Sequence, residues 1–225
     1  MTVQTPWHKV GILFALASIF ASGTPALAQP TERPIGRYVV DVRGSVVPFK
    51  RNIELAQSRQ MEPLDTPGLG MGLEVGAHLY FLRFKAMTLG VGASFHSSLA
   101  DRQPNEFSPD PDGPTLRKRF TAIAPQLSFN FGGSNGWSYI SGGIAPTRLS
   151  LFPLNDDKNS QRSSNTLNYG GGVRWFTSEH LAFSIDFRLY AISPLSAISP
   201  QEKLPGQPYS PRMTQMVLSI GTSFK

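Results

Sequence analysis

From about residue 37 onward the chain alternates apolar and polar residues with a period of two, in eight separate stretches. That period sends successive side chains to opposite faces of an extended strand. In Arg37–Pro48, Tyr38, Val40, Val42 and Val46 share one face, and Asp41, Arg43 and Ser45 share the other. Leu69–Tyr80 sets Leu69, Met71, Leu73, Val75, Ala77 and Leu79 against Gly70, Gly72, Glu74, Gly76, His78 and Tyr80. Met87–Leu99 sets Met87, Leu89, Val91, Ala93, Phe95 and Leu99 against Thr88, Gly90, Gly92, Ser94, His96 and Ser98. In Lys118–Phe131, Ile123, Leu127, Phe129 and Phe131 alternate with Gln126, Ser128 and Asn130.

The fifth stretch, Trp137–Leu149, has split parity: Trp137 and Tyr139 favour one face, Ile140 and Ile144 the other. A bulge at Gly142-Gly143 is therefore expected to switch the faces. Thr166–Phe176 places Leu167, Tyr169, Val173 and Trp175 outward with Asn168 and Arg174 inward. Leu181–Ala191 alternates Leu181, Phe183, Ile185, Phe187 and Leu189 with Ala182, Ser184, Asp186, Arg188 and Tyr190. The last stretch alternates Met216, Leu218, Ile220, Thr222 and Phe224 with Gln215, Val217, Ser219, Gly221 and Ser223.

Each stretch is close to the roughly nine to eleven residues that a tilted strand needs to cross hydrocarbon. The connections 49–67, 100–117, 150–164 and 192–211 are long, whereas 81–86, 132–136 and 177–180 are short. Outer-membrane barrels have short periplasmic turns and long outer loops, so this order predicts both termini in the periplasm. Gly132-Gly133-Ser134-Asn135-Gly136 has the composition of a turn. Pro109-Asp110-Pro111-Asp112-Gly113-Pro114 cannot continue a strand. Phe81, Phe84, Phe129, Phe131, Trp137, Tyr139, Trp175 and Phe176 lie beside the short turns, where a periplasmic aromatic girdle is expected. A soluble barrel would show the same period with its apolar face inward. The second face here carries Gly, Ser, Asn, Asp, Arg and His, which suits a narrow polar lumen. The expected fold is all-β: one eight-stranded antiparallel transmembrane barrel over 37–225, in a bacterial outer membrane, preceded by a short lead over 29–36.

The N-terminus fits that destination. The one sustained apolar run, Val10–Ala21, is twelve residues, too short for a spanning helix of about 20. His8 and Lys9 precede it; Gly23, Pro25 and Ala26-Leu27-Ala28 follow. This is the order of a secretory signal, cleaved after Ala28 so that 1–28 is removed. The 225 residues contain no Cys, so export brings no disulfide framework and no thiolate metal site. Beyond the leader, 20 Lys and Arg face 15 Asp and Glu. For an exported chain lipid phosphates are the expected acidic partner, and nucleic acid is not.

The hairpin from Asn168-Tyr169-Gly170-Gly171-Gly172-Val173-Arg174-Trp175-Phe176 to His180-Leu181-Ala182-Phe183-Ser184-Ile185-Asp186-Phe187-Arg188-Leu189-Tyr190 resembles the small outer-membrane barrels grouped around the outer membrane protein A transmembrane domain. The resemblance implies that the aromatic residue closing the last strand, Phe224, is read by the barrel-assembly machinery; here Lys225 follows it. No peptidoglycan-binding segment follows the barrel in this sequence, so cell-wall tethering is not implied.

Several groups bear on chemistry. By parity Asp41, Arg43, Glu74, Arg174, Asp186 and Arg188 face the lumen, where buried charges must pair. They form either a structural plug or an ion path. His96 and Ser98, with Glu106 in the following loop, are slightly similar to the His, Ser and Glu set of the outer-membrane lipid A deacylases. Parity turns His96 and Ser98 away from the bilayer, which opposes action on a membrane lipid. His78 shares a face with Glu74 and Tyr80, and no cluster has the spacing of a metal site. No cofactor is expected. Lys50, Arg51, Arg102, Arg117, Lys118, Arg119, Arg148 and Arg212 lie near loop ends, and Arg117, Lys118 and Arg119 are the expected contact to lipopolysaccharide phosphates. Three functions remain open: a non-enzymatic barrel serving envelope integrity or surface recognition through its four outer loops, a narrow pore, and a lipid A-modifying enzyme. A closed barrel leaves no free strand edge, so a monomer is expected.

Overall fold

The computed structural model describes residues 34–51, 53, 56, 63–84, 87–104, 106–108, 110–154, 163–192 and 213–225. The proposed signal peptide, most of the connection 192–211, and Arg212 lie outside these residues. Eight strands form one closed antiparallel barrel in which each strand pairs with its neighbours in sequence and β1 with β8. They are β1 (Tyr38–Pro48), β2 (Leu69–Phe84), β3 (Met87–Arg102), β4 (Leu116–Gly133), β5 (Gly136–Pro153), β6 (Ser163–Phe176), β7 (Leu181–Ile192) and β8 (Met213–Phe224).

Alternation is the cause of this architecture. A sheet with one apolar and one polar face must cover one of them, and closure covers the face turned inward. Every strand exposes its apolar set outside, from Val40 and Val42 on β1 to Leu218 and Ile220 on β8. The polar set is buried: Asp41, Arg43 and Ser45 on β1, and Ser184, Asp186 and Arg188 on β7. A soluble barrel would have the reverse arrangement. Closure rests on seven pairs joining β1 to β8, from Val40 with Phe224 to Val46 with Leu218.

Three features differ from the sequence reading. First, β5 keeps a single parity. Trp137 and Tyr139 point inward, Ile140 and Ile144 outward, and the β4–β5 register is the same on both sides of Gly142-Gly143. Gly143 is needed for close approach, not for a bulge: a Cβ there would strike the Pro125 carbonyl of β4. The bulge lies instead on β2, where the register shifts between Tyr80 and Leu82 and leaves Phe81 unpaired. Second, β2 to β6 are longer than a bilayer crossing requires; β4 and β5 each have 18 residues and run on into the loop region. The β4–β5 connection thereby shrinks to Ser134-Asn135, with Gly132 just before it at φ 133°, a conformation that favours glycine. Third, the aromatic girdle is smaller than expected. Phe81, Phe84, Phe131 and Trp175 are exposed on the outer wall, but Trp137 and Tyr139 line the lumen, and Phe176 packs against Trp137.

Candidate functional site: the charged lumen

The interior of an eight-stranded barrel is just wide enough for side chains to fill it. Here it is filled in three layers. At the short-turn end Ile35, Val39, Tyr80, Trp137 and Tyr139 form an apolar cluster with Phe176 against it. Tyr80 meets Trp137 edge-on at 5.8 Å, and Trp137 stacks on Phe176 at 5.0 Å between ring centroids. Just below, the Lys225 ammonium lies 3.7 Å from the Phe176 ring centroid and donates to the Ser134 carbonyl at 2.5 Å. Burial pulls that ammonium below the usual lysine range, against the pull of Glu179.

At the loop end a second apolar cluster includes Val47, Phe49, Phe120, Leu149, Tyr190, Ile192, Met213 and Val217. Phe120 packs edge-on against Tyr190 at 5.1 Å and against the His96 ring at 5.6 Å.

Between the two lies the charged layer, and it contains all six lumen charges read from the sequence. Arg174 forms a two-pronged pair with Asp41, Nε at 2.9 Å and Nη2 at 2.6 Å. Arg43 donates to Glu74 at 2.9 Å and to Ser184 Oγ at 3.0 Å, and forms an ion pair with Asp41 at 2.8 Å. Arg188 donates to both oxygens of Asp186, at 3.3 and 3.1 Å, and to Asn168 and Ser141, each at 3.2 Å. Ser219 donates to Glu74 at 2.7 Å, and Ser223 donates to Asp41. Three guanidinium groups thus meet three carboxylates, all at most 2% exposed. Each carboxylate has at least two partners, the condition under which buried charge is tolerated.

Tyr139 joins the halves of this layer. Its hydroxyl donates to Asp186 at 2.5 Å and accepts from Arg43 at 3.3 Å, while the Arg174 guanidinium carbon stands 4.2 Å from its ring centroid. The sequence reading placed Tyr139 in the membrane girdle. The usable signal was the spacing of two between Tyr139 and Ser141, which puts both on one face. His78 lies with Nδ1 3.4 Å from Asp41 Oδ2, a contact that its shared face with Glu74 did not disclose.

The other sequence candidates are dispersed. His96 and Ser98 do meet, with Nε2 and Oγ 3.2 Å apart. Both are buried in the lumen, His96 Nδ1 has no hydrogen-bond partner, and Glu106 is exposed in the loop after β3. A hydroxyl nucleophile needs a base that is itself oriented by a third group, and these three side chains do not form that arrangement. The basic trio is divided by strand parity. Lys118 turns inward, 1% exposed, donates to the Lys50 carbonyl at 3.1 Å and sits 5.2 Å from the Phe49 ring centroid. Arg117 faces out and is paired with Asp101 at 2.7 and 2.6 Å. Arg119 also faces out, opposite Ser150. Among the described residues no group of three His, Asp or Glu side chains is placed to hold a metal ion.

The barrel combines an apolar exterior, a polar interior and strict closure. The fold is that of an outer-membrane β-barrel. No family model matches the chain, and no curated protein matches it. Among solved structures it is similar to Neisserial surface protein A, at 13% identity with a TM-score of 0.49 over 84% of this chain and 96% of the other. It is also similar to Ail, the attachment invasion locus protein of Yersinia pestis in complex with the heparin analogue sucrose octasulfate, at 13% identity and TM-score 0.49 over 84% and 98%. The outer membrane protease OmpT from Escherichia coli gives 7% identity and TM-score 0.42 over 88% and 99%. At such identities no residue's role carries over, and the reading of the barrel rests on its own side chains.

Proposed function

We propose that this barrel is a closed, non-conducting and non-enzymatic scaffold of the outer membrane that presents four long loops at the cell surface for recognition or envelope integrity. The observation that carries the reading is the lumen: a charge-balanced ionic layer held between two apolar clusters. Ions crossing it would have to pass both the Trp137–Phe176 stack and the Phe120–Tyr190 contact. The ionic layer is therefore a plug. Loops on such a rigid wall are where binding is carried.

The proposal includes export by cleavage after Ala28, assembly through Phe224, a monomeric barrel, and both termini in the periplasm. Phe224 suits its part: it is exposed on the outer wall at the β1–β8 seam, paired with Val40. Planar-bilayer recordings of the purified barrel test the plug; no conductance steps are expected, and resolved steps would overturn it. Because the chain has no cysteine, orientation can be read from Asp112→Cys in a long loop and Ser134→Cys in a short turn. An impermeant maleimide applied to whole cells should label only the first. Mature protein should begin at Gln29 by N-terminal sequencing.

A further inference from the structure

The outer wall of β4, β5 and β6 carries an apolar depression of about 490 Å³ lined by Leu127, Phe129, Ile140, Gly142 and Tyr169. It exists because Gly142 faces outward without a side chain among neighbours that stand up around it: Leu127 pairs with Gly142 on one side and Tyr169 on the other. On the same face, towards the long loops, stand two arginines. Arg148 is exposed on β5 opposite Thr121, and Arg119 lies two residues further along β4. That makes them diagonal neighbours, with backbones about 7–8 Å apart, close enough for both guanidinium groups to meet one phosphate.

Their height follows from the strand. From the exposed girdle residue Phe131 to Thr121 is ten residues, which at about 3.4 Å each and a tilt near 40° rises about 26 Å along the membrane normal. The apolar band of such a barrel is about 25 Å tall. Arg119 and Arg148 therefore sit at the headgroup boundary of the leaflet on the loop side. The groove floor at Gly142 lies six residues below Arg148, about 16 Å down. One leaflet of hydrocarbon is about 15 Å thick, so an acyl chain descending from a headgroup at the arginines ends in the groove.

We propose that this wall binds a phosphorylated glycolipid of the outer leaflet, lipopolysaccharide, with Arg119 and Arg148 holding a phosphate and an acyl chain lying over Gly142. The inference rests on the orientation proposed above, with the loops outside. It also moves the lipid contact away from the trio Arg117, Lys118 and Arg119: Lys118 is inside the barrel, and Arg117 lies two residues further from the groove than Arg119. Apolar contact drives little association within a bilayer. The arginines therefore supply the affinity and the groove fixes where the chain lies.

The test uses the full barrel in phosphatidylcholine vesicles with a small fraction of purified lipopolysaccharide. A photoreactive residue is placed at Ile140 in the groove or, as reference, at Val42 on the outer face of β1. Lipopolysaccharide adducts should form at least about tenfold more at Ile140, a bidentate arginine–phosphate contact being worth about a factor of ten or more. Arg119→Gln with Arg148→Gln should bring the yield down to the Val42 level, while Arg117→Gln should leave it unchanged. Equal yields at the two positions, or a yield that survives loss of both arginines, would overturn the site. Undiminished labelling by dephosphorylated lipopolysaccharide, or equal competition by phosphatidylglycerol, would overturn the assignment of phosphate or of glycolipid respectively. Vesicle binding does not depend on orientation in the cell, so maleimide labelling of the wrong side would refute the orientation and leave these yields intact.

Discussion

Asp41→Asn is the sharpest probe of the lumen. Asp41 accepts from Arg174 Nε at 2.9 Å and Nη2 at 2.6 Å and from Ser223, and is ion-paired with Arg43 at 2.8 Å. Asparagine keeps the shape but removes the negative charge, leaving three buried guanidinium groups against two carboxylates. Arg43 retains Glu74 at 2.9 Å, so the loss falls on Arg174, which is 1% exposed and has no second carboxylate in the network. An uncompensated buried charge of this kind costs about 3–5 kcal/mol. Adding Arg174→Met restores the balance, two against two, and replaces a buried pair with smaller desolvation cost, so most of the loss should return. The assay is urea unfolding of the barrel in lipid vesicles, read from the difference in electrophoretic mobility between unheated and heated samples. A loss below about 1 kcal/mol in the single variant, or a double variant no better than the single, would mean that water solvates Arg174. The reasoning for a dry, plugged lumen would then fail.

Other expectations follow from single side chains. Gly143→Ala places a Cβ against the Pro125 carbonyl and the Gln126 backbone; it should block β4–β5 closure and abolish the heat-dependent mobility shift, whereas outward-facing Gly142→Ala should retain it. Phe120→Ala empties the centre of the loop-end cluster and should cost about 3–5 kcal/mol in the same unfolding assay. Phe224→Ala should lower the amount of folded barrel in the outer-membrane fraction through slower assembly. Lys225→Ala should not, since it removes only the bond to Ser134 and the contact with Phe176, costing about 1 kcal/mol of stability.

Most of the fold was legible because alternation is a backbone property and survives without knowledge of neighbours. The inward set of charges was legible for the same reason: Asp41 and Arg43, or Asp186 and Arg188, are two apart and must share a face. Their pairing was not, because Arg174 meets Asp41 across 133 positions of sequence, a contact that exists only after closure. Lys118 follows its parity and not its charge. Extending the β4 alternation from Ile123 upward sends Arg117 and Arg119 out and Lys118 in, where its long stem lies among apolar side chains while the ammonium reaches a carbonyl. Trp137 and Tyr139 were drawn to the girdle because aromatics at a strand end look alike whether they meet lipid or lumen. The apolar end clusters escaped notice because residues such as Val47, Phe120 and Val217 interrupt an inner face otherwise read as polar.

The ionic layer also decides how the wall can open. Its ties run from the first strands to the last: Asp41 of β1 to Ser223 of β8, Glu74 of β2 to Ser219 of β8, and Arg43 of β1 to Ser184 of β7. They therefore bridge the β1–β8 seam from within. Parting that seam to pass a lipid or peptide sideways would break the backbone ladder and strand paired charges beside hydrocarbon in the same movement. Lateral opening at this junction is therefore opposed by side chains as well as by the backbone ladder.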